Sequence, residues 1–334
     1  LEQHYTLESN SLRYIRLISD TAERTRQWRQ IGLLPMDETA YLEQNPDVMA
    51  SLSAGTFRNA LEHWQALGAD EVRRGARAYR PQGGQVSLGL RFQDAEAMSS
   101  ARSAAAEVLA SWESPPLISI VMPVYDVEIQ WLQAAIDSVI AQLYENWELC
   151  ICNDASPSTS VATLLNTLEH ARIKVTEHEQ SQGIAAATNS ALSLATGTHV
   201  TFMDHDDELS ADALFQVVRV ILDQDSDLIY SDEAKLELDG TPCEPHFKPD
   251  YSRELIQSQN YISHLTVMRR KWVEELGGLA SGVDGSQDHD LLLRYLQRAC
   301  TVTHIPMVLY YWRKVPQSTA AQFDSKDYAW EAGV

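Results

Sequence analysis

The sequence predicts an α/β fold, a doubly wound and mostly parallel sheet with helices on both faces, preceded by a small helical domain. Three observations support this prediction. After residue 116, short apolar runs rich in β-branched residues alternate with stretches of helical periodicity. The runs are apolar on both faces, as expected for strands that helices cover on both sides. Alternating strands and helices form right-handed βαβ units, which place neighbouring strands parallel to one another.

The predicted elements follow one another closely along the chain. Apolar runs predict strands at 117–122, 147–152, 173–176, 199–203 and 227–230. The helical spacing of apolar residues predicts helices at 129–143, 160–170, 184–195 and 211–222. Ser210 is placed to cap the last of these helices. A further apolar helix is predicted at 291–299, with Ser286 as its cap.

The first 112 residues are predicted to form a helical N-terminal module. Apolar residues in this part follow helical spacing, and the Ala-rich, charged segment 94–112 predicts one more helix. The Pro115-Pro116 pair marks the boundary with an α/β domain that we expect over 116–320. Residues 321–334 are interpreted as the start of a truncated C-terminal helix.

The composition excludes several classes of protein. The 334 residues carry a formal net charge of -21, which argues against binding to nucleic acid duplexes and against general attraction to anionic membranes. No stretch approaches the roughly 20 apolar residues of a membrane helix, and no signal peptide is evident. We therefore expect a cytoplasmic protein without transmembrane spans, for which peripheral association with the inner face of the membrane stays open. Four cysteines are too few for a disulfide framework and are expected to be reduced core thiols: Cys150, Cys152, Cys243 and Cys300.

Polar residues follow several of the predicted strands at the point where each strand ends. Tyr125 follows the first strand, Asp154 follows the second, and the segment Asp204–Asp207 follows the fourth. Open α/β sheets bind ligands beyond the carboxyl ends of their strands. We therefore expect several carboxylates to converge on one edge of the sheet.

The segment Asp204–Asp207 is the sharpest chemical signal in the sequence. Side chains two residues apart in extended backbone point the same way, so Asp204 and Asp206 are predicted to face one ion together. Oxygen ligands suit a hard cation, Mg2+ or Mn2+, which would neutralise a leaving diphosphate. The alternative is an acidic turn that caps the next helix. Ser210 already offers a cap, which favours the metal site, and Asp207 is the member expected to be structural.

Two other carboxylates are candidates with structural alternatives. Asp288 is predicted in the first turn of a helix, where the helix dipole keeps a carboxylate ionised, as a general base requires. Its alternative is simple compensation of that dipole, which is the role expected for Asp290. Asp154 is a candidate ligand-binding residue, with an Asx-type turn as its alternative.

Eight segments of the chain carry a further pattern. They are Ser119–Tyr125, Asn153–Ser156, Gln182-Gly183 with Asn189, Asp204–Asp207, Phe247–Ser252, Ser258–Ile262, Gly285–Asp288 and Tyr310–Arg313. In this order and spacing they resemble family 2 glycosyltransferases of the GT-A fold. The last four are similar to the subfamily that builds O-antigens and other bacterial surface polysaccharides. The resemblance covers 116 to about 320.

This resemblance implies roles for the carboxylates. Asp154 would hydrogen-bond the uracil or thymine of a UDP- or dTDP-linked sugar donor. Asp204 and Asp206 would form the family's DxD element, with Asp206 on Mn2+ or Mg2+ and Asp204 toward the ribose or the metal. Asp288 would be the catalytic base that deprotonates the acceptor hydroxyl. That hydroxyl would attack the anomeric carbon opposite the leaving diphosphate and invert the centre.

The remaining donor-site residues follow from the same resemblance. Pro123 and Tyr125 would lie against the nucleoside, and Gly183 and Asn189 belong to the matched donor-binding segments. Lys248 and Arg313 are candidates for the diphosphate, with ordinary salt bridges as their alternative. The chain departs from the family pattern at three positions: Asn153 stands for an Asp, Thr188 for an Arg and Tyr311 for a His. The last departure leaves a third protein ligand for the metal unassigned.

The resulting expectation is an inverting hexosyl- or deoxyhexosyltransferase acting on a glycan or lipid-linked glycan acceptor. A sugar-phosphate nucleotidyltransferase would need a Gly-rich loop after the first strand, and the segment Pro123–Val127 contains no Gly. A catalytically inactive glycan- or nucleotide-binding scaffold is the alternative from another class. Residues 41–68 resemble a short helical module found beside bacterial polysaccharide transferases, which we expect to bind acceptor, a partner enzyme or a second copy of itself.

Overall fold

The structure is a computed structural model that describes residues 48, 93, 95–283, 285–298 and 301–315. The chain divides into two compact units, residues 1–88 with 100–105 and residues 89–99 with 106–334. Nearly all described residues belong to the second unit. Most of the predicted N-terminal module and the whole predicted helix start at 321–334 lie outside the described residues.

The described elements alternate as the sequence predicts up to the fourth strand. The strands are β1 (Ile118–Val124), β2 (Trp147–Asn153), β3 (Ile173–Glu177), β4 (His199–Phe202), β5 (Glu208–Leu209), β6 (Leu228–Leu236), β7 (Pro242–His246), β8 (Thr266–Arg269) and β9 (Val302–Arg313). The helices are α1 (Ala95–Ala110), α2 (Ile129–Ile140), α3 (Thr159–Asn166), α4 (Ile184–Leu192), α5 (Ala213–Gln224), α6 (Arg253–Ser258), α7 (Arg270–Glu275) and α8 (Gln287–Tyr295).

These strands form one sheet in the order β3-β2-β1-β4-β8-β6-β9-β5, with β7 paired to β6. The first four strands are parallel to one another, and Ile118 in β1 lies opposite Trp147 in β2 and His199 in β4. Strand β8 runs antiparallel to both β4 and β6, whereas β6 and β9 are parallel. The predicted mostly parallel α/β sheet is therefore confirmed, with one antiparallel strand joining its two parallel parts.

The core of the first half follows from the apolar pattern. Every residue of β1 and β2 is buried, as expected for central strands with both faces covered. Helix α4 packs on both strands. Its buried face is rich in alanine, including Ala185, Ala187 and Ala191, which lets the helix approach the sheet closely. This close packing fixes the carboxyl ends of β1 and β2, where the candidate site lies.

The amino ends of the strands are fastened by one buried carboxylate, Glu148. It accepts hydrogen bonds from the Ser119 hydroxyl at 2.7 Å, from the Lys174 ammonium at 2.6 Å and from the Gly197 amide at 3.1 Å. Thr196 adds bonds from its amide and its hydroxyl. Burial opposes ionisation, but these hydrogen bonds outweigh it and lower the pKa of Glu148 from 4.5 to about 2. One side chain therefore connects β1, β2, β3 and the turn before β4.

The prediction that Ser210 caps a helix from 211 to 222 is wrong. Helix α5 begins at Ala213, with Asp212 in the cap position. The Ser210 hydroxyl donates to the Asp212 carboxylate at 2.9 Å, and its backbone amide donates to Leu309 at 3.0 Å. Ser210 is thus bound to strand β9, which delays the helix by two residues.

The last predicted helix, by contrast, begins earlier than predicted. Helix α8 covers Gln287–Tyr295 rather than 291–299, and Ser286 occupies its N-cap position without a side-chain cap hydrogen bond. The prediction that Asp288 and Asp290 lie in its first turn is confirmed.

The prediction of reduced core thiols is confirmed for two of the four cysteines. Cys150 and Cys152 are buried free thiols in β2, and burial raises their pKa values to about 12 and about 11. Cys243 is a free thiol that is only partly buried, and Cys300 lies outside the described residues. No helix in the described parts of the chain is both long and apolar enough to cross a bilayer.

Candidate active site

The segment Asp204–Asp207 leaves the carboxyl end of β4 and is anchored by strand β9. The Tyr310 hydroxyl donates to the Asp207 carboxylate at 2.6 Å, and the Arg313 backbone amide donates to it at 2.9 Å. The Asp204 amide donates to the Tyr310 hydroxyl oxygen at 3.2 Å. Burial, with the charges of Asp206 and Asp204, raises the pKa of Asp207 well above its usual range. Asp207 therefore has the structural role expected for it.

Arg313 supports the same segment with its side chain. Its guanidinium donates to the Asp206 carbonyl at 2.9 Å and forms an ion pair with Glu208, while its Cζ lies 4.4 Å from the centroid of the Trp131 ring. The Arg313 side chain is 1% exposed. Sequence reasoning placed Arg313 among candidates for the diphosphate. In the structure its guanidinium instead contacts the Asp206 carbonyl and the Glu208 carboxylate, which agrees with the alternative of an ordinary salt bridge.

The carboxylates of Asp204 and Asp206 differ from that of Asp207. Neither accepts a hydrogen bond from another residue in the described ranges. Burial raises the pKa of Asp206; His205 opposes the rise and the charge of Asp204 adds to it. Asp204 and Asp206 are two partly buried carboxylates whose negative charge is not neutralised by a protein partner in the described ranges. Because every ligand atom that they offer is an oxygen, the pair suits a hard divalent cation. Among the described residues, no third His, Cys, Asp or Glu completes a three-ligand group with them within 4.8 Å.

Asp154 organises the loop before α4. Its carboxylate accepts hydrogen bonds from His178 at 2.6 Å and the Ser181 hydroxyl at 2.8 Å, and from the amides of Gln182 and Gly183 at 2.8 and 2.9 Å. Burial favours the neutral acid, but these four bonds outweigh it and lower the pKa of Asp154. Gly183, whose φ of 90° favours glycine, is the N-cap residue of α4. Asp154, which is expected to hydrogen-bond a nucleobase, thus fixes the loop at 178–183 through these contacts.

The edge beside Asp154 is open. Tyr125 is 48% exposed after β1, whereas Pro123 is buried in β1 and its carbonyl accepts a hydrogen bond from His205 at 3.0 Å. An open cleft next to Asp154 is lined by Ala155, Ser156, Glu177, His178 and Glu179. An exposed aromatic ring such as that of Tyr125 suits stacking against a nucleobase.

Asn189 fastens α4 to the loop before α8. Its side-chain amide donates to the Leu279 carbonyl and accepts from the Leu279 amide, both at 2.9 Å. A Cβ atom at Gly278 would lie 2.3 Å from the Asn189 oxygen, so glycine is required there for this approach. Arg294 of α8 donates to the Leu276 and Gly278 carbonyls of the same loop. Asn189 therefore supports the site through this loop.

Asp288 and Asp290 have different surroundings. The Asp290 carboxylate forms an ion pair with Arg294 at 2.6 Å, one turn along the helix. Asp288 instead lines a cavity of about 20 Å³. Phe202 at the end of β4, His264 and Met268 of β8 line the same cavity, so Asp288 lies near the carboxyl end of β4.

Lys248 is buried with its side chain fully enclosed. Its ammonium forms an ion pair with Glu233 at 2.8 Å and donates to the carbonyls of Ile262, at 2.6 Å, and His264. Sequence reasoning placed Lys248 among candidates for the diphosphate. Its contacts show that it holds the segment before β8.

Comparison with protein-family models matches residues 119–277 to glycosyl transferase family 2. The chain contains a glycosyl transferase family 2 domain.

This family 2 domain is similar to curated bacterial proteins. The O-antigen biosynthesis protein RfbC of Myxococcus xanthus is 36% identical over 235 residues, which are 70% of this chain and 18% of that protein. The UDP-Glc:alpha-D-GlcNAc-diphosphoundecaprenol beta-1,3-glucosyltransferase WfgD of Escherichia coli is 36% identical over 114 residues, which are 34% of this chain and 44% of that protein. The chain thus spans less than half the length of each relative.

A solved structure shares the fold of the family 2 domain. TarS 1-349 of S. aureus, in complex with UDP-GlcNAc, aligns with a TM-score of 0.53 over 64% of this chain and 64% of that chain, at 18% identity. At this identity the likeness concerns the fold alone. Together with the sheet order, it confirms the predicted GT-A fold.

Sequence reasoning missed one residue at the centre of this family 2 domain, His264. Its ring stacks on the Tyr310 ring with centroids 4.7 Å apart and planes inclined by 18°, and it lies against Trp312 on another side. His264 is 9% exposed and lines the cavity of Asp288. It follows the matched segment Ser258–Ile262 by two residues, and this proximity is the only signal that the sequence offered.

Proposed function

We propose that this protein is an inverting glycosyltransferase that transfers a hexosyl or deoxyhexosyl group from a UDP- or dTDP-linked donor to a hydroxyl of a surface glycan. One observation carries the proposal. Asp204 and Asp206, inside the region matched to family 2, present carboxylates without described protein partners, while Asp288 lines a cavity near the carboxyl end of the same strand, β4. This arrangement separates a cation-binding pair from a candidate base.

The residues act in two groups in the proposed reaction. Asp206 and Asp204 would hold Mn2+ or Mg2+, which, when bound, neutralises charge on the leaving diphosphate. Asp288 takes the proton of the acceptor hydroxyl, whose oxygen forms the new bond to the anomeric carbon. The bond from that carbon to the diphosphate oxygen breaks with its electron pair on the leaving group. Holding the base and the leaving group on opposite sides supplies much of the rate, because the reactants meet already aligned.

The relatives support the substrate classes in this proposal. RfbC is named for O-antigen biosynthesis, and WfgD is named for transfer from UDP-Glc to a diphosphoundecaprenol-linked sugar. By analogy we propose a glycan or lipid-linked glycan acceptor, reached from the cytoplasm at the inner face of the membrane. Tyr125, exposed beside Asp154, offers a surface for the uracil or thymine ring.

The test uses the matched variants Asp206→Asn and Asp223→Asn. Binding of UDP and dTDP is measured by calorimetry with Mn2+ and with EDTA, and release of nucleoside diphosphate from their glucose conjugates is measured without acceptor. We expect Asp206→Asn to remove the Mn2+-dependent part of nucleotide binding with an unchanged melting temperature, because one charged ligand is lost. Asp223, exposed on α5, should tolerate the same change. Full activity of Asp206→Asn, together with insensitivity to EDTA, would contradict the proposal.

A further inference from the structure

The segment between α6 and β8 is held in a conformation that needs support. Ser263 has a φ of 43°, a left-handed value that costs a non-glycine residue free energy. The segment is fixed on three sides: Lys248 binds two of its carbonyls, the Asn260 side chain accepts from the Ser263 amide at 3.1 Å, and the Thr266 hydroxyl donates to the Ser263 carbonyl. Backbone strain that surrounding contacts maintain is concentrated at functional positions.

The side chain presented by this segment is His264. One face of its ring stacks on the Tyr310 ring. The Tyr310 hydroxyl accepts a hydrogen bond from the Asp204 amide and donates one to the Asp207 carboxylate. The ring also lines the cavity that Asp288 lines. His264 therefore lies between the carboxylate segment and the candidate base.

The imidazole nitrogens of His264 make no hydrogen bond within the described ranges, although the residue is 9% exposed. An imidazole without a protein partner can donate one hydrogen bond and accept another, and a ligand hydroxyl offers both. The adjoining cavity of about 20 Å³ has room for one water-sized group and not for a sugar ring. Among the groups of a sugar, a single hydroxyl has this size and can also hydrogen-bond the imidazole.

We propose that His264 binds a hydroxyl group of the transferred sugar and thereby contributes to the choice of donor, with Lys248 as its positioning residue. This inference rests on the proposed function. In an inverting displacement the transferred sugar lies between the leaving diphosphate and the base that serves the acceptor. His264 occupies that interval, since its ring connects Tyr310 on the diphosphate side with the cavity of Asp288.

The test compares His264→Phe with His264→Gln. Phenylalanine keeps an aromatic ring on Tyr310 but cannot hydrogen-bond, whereas glutamine keeps a donor and an acceptor. Dissociation constants are measured with Mn2+ for UDP, dTDP and their glucose and galactose conjugates. For the conjugate that the wild type binds best, we expect His264→Phe to raise Kd about tenfold, as for one lost hydrogen bond. Kd for the free nucleotide should not change, and His264→Gln should restore most of the affinity for the conjugate.

A matched control is His170→Phe. His170 also stacks on an aromatic ring, Trp147, but at the amino ends of the strands, so its loss should leave both dissociation constants unchanged. Equal affinity of wild type and His264→Phe for every conjugate would overturn the inference, and so would an equal loss for conjugate and free nucleotide. If the phenylalanine variant does not fold, a His264→Gln variant that loses tenfold or more of the conjugate affinity would also overturn it. A wild type that binds neither UDP nor dTDP would contradict the proposed function itself, and the inference with it.

Discussion

At the scale of single residues, Asp288 and Asp290 show how two identical side chains in one helical turn acquire different roles. Asp290 is paired with Arg294 one turn away, a spacing that brings side chains together on a helix surface. Asp288 lies beside a cavity near the end of β4 instead. The ion pair engages Asp290 along the helix, and the cavity beside Asp288 supports the proposal that Asp288 is the base.

We expect Asp288→Asn to lower the rate of nucleoside diphosphate release by at least about 10²-fold, the usual contribution of a general base. Its Kd for UDP or dTDP and its melting temperature should stay close to wild type, because asparagine keeps the shape of the side chain. Asp290→Asn is the matched control. It should keep near-normal turnover and lose less than about 1 kcal/mol of stability, as for a partly exposed ion pair. Near-full turnover of Asp288→Asn would show that Asp288 is not the general base.

Residue type and spacing predicted which residues gather at the carboxyl edge, but not which of them face solvent. Lys248 and Arg313 carry the charge that a diphosphate needs, yet both side chains are enclosed by protein partners. Asn189 is bonded to a backbone 90 residues away. A Lys or Arg that binds a substrate cannot be distinguished by sequence pattern from one that pairs with a buried carboxylate. Their difference lies in long-range contacts that only the folded chain brings together.

At the scale of elements, Glu148 joins three strands and a turn at the edge opposite the candidate site. Because its folded pKa of about 2 lies below its ordinary value of 4.5, its ionised form stabilises the native state. That stabilisation is complete above about pH 5 and is lost as the pH falls through 4 toward 2. Acid should therefore loosen the amino ends of β1, β2 and β3.

The prediction is that Glu148→Gln lowers the free energy of unfolding at pH 7 by about 2–3 kcal/mol, because an amide group replaces an acceptor of several charge-assisted hydrogen bonds. The measurement is urea unfolding at pH 7, 5, 4 and 3. The difference between wild type and variant should shrink as the pH falls. Glu145→Gln, at an exposed position in the preceding turn, serves as the control and should follow the wild type. A constant difference across this range would show that the Glu148 charge is not responsible.

Periodicity predicted the elements up to β4 well, because each buries a continuous apolar face next to its neighbour in sequence. It failed for the second half of the sheet. Strands β5 and β7 are short, and β8 is paired on both sides with strands distant in sequence. Strand β9, twelve residues long, mixes polar and aromatic residues and pairs in parallel with β6. Such pairings depend on tertiary contacts rather than on local pattern.

At the scale of the whole molecule, the structure indicates where a catalytic fragment should begin. Trp112 stacks on Phe215 with ring centroids 5.2 Å apart, and it also contacts Tyr144 at 5.9 Å. Asn146 donates to the Pro115 carbonyl at 3.0 Å. Residues just before the proline pair therefore pack on the α/β unit, whose longer continuous part begins before the prolines, at 106.

We expect a fragment of residues 106–334 to fold and to bind UDP or dTDP with the affinity of the whole chain. A fragment beginning at Ser114 should also bind nucleotide but melt about 2–4 °C lower, since it lacks an aromatic pair of about 1 kcal/mol. Thermal melts and calorimetry of both fragments check this. Insolubility of both fragments would show that the α/β domain depends on the preceding residues.

The anchoring of Asp207 by Tyr310 and Arg313 has a consequence for the order in which the protein is made. The two partners are 103 and 106 residues apart along the chain from the carboxylate that they hold. Translation delivers the amino-terminal part first, so strands β1 and β2, beside the cleft next to Asp154, emerge well before strand β9, which fixes the acidic segment. An unfinished chain on the ribosome therefore lacks a fixed arrangement of Asp204 and Asp206, and the proposed donor site is complete only after synthesis passes residue 313.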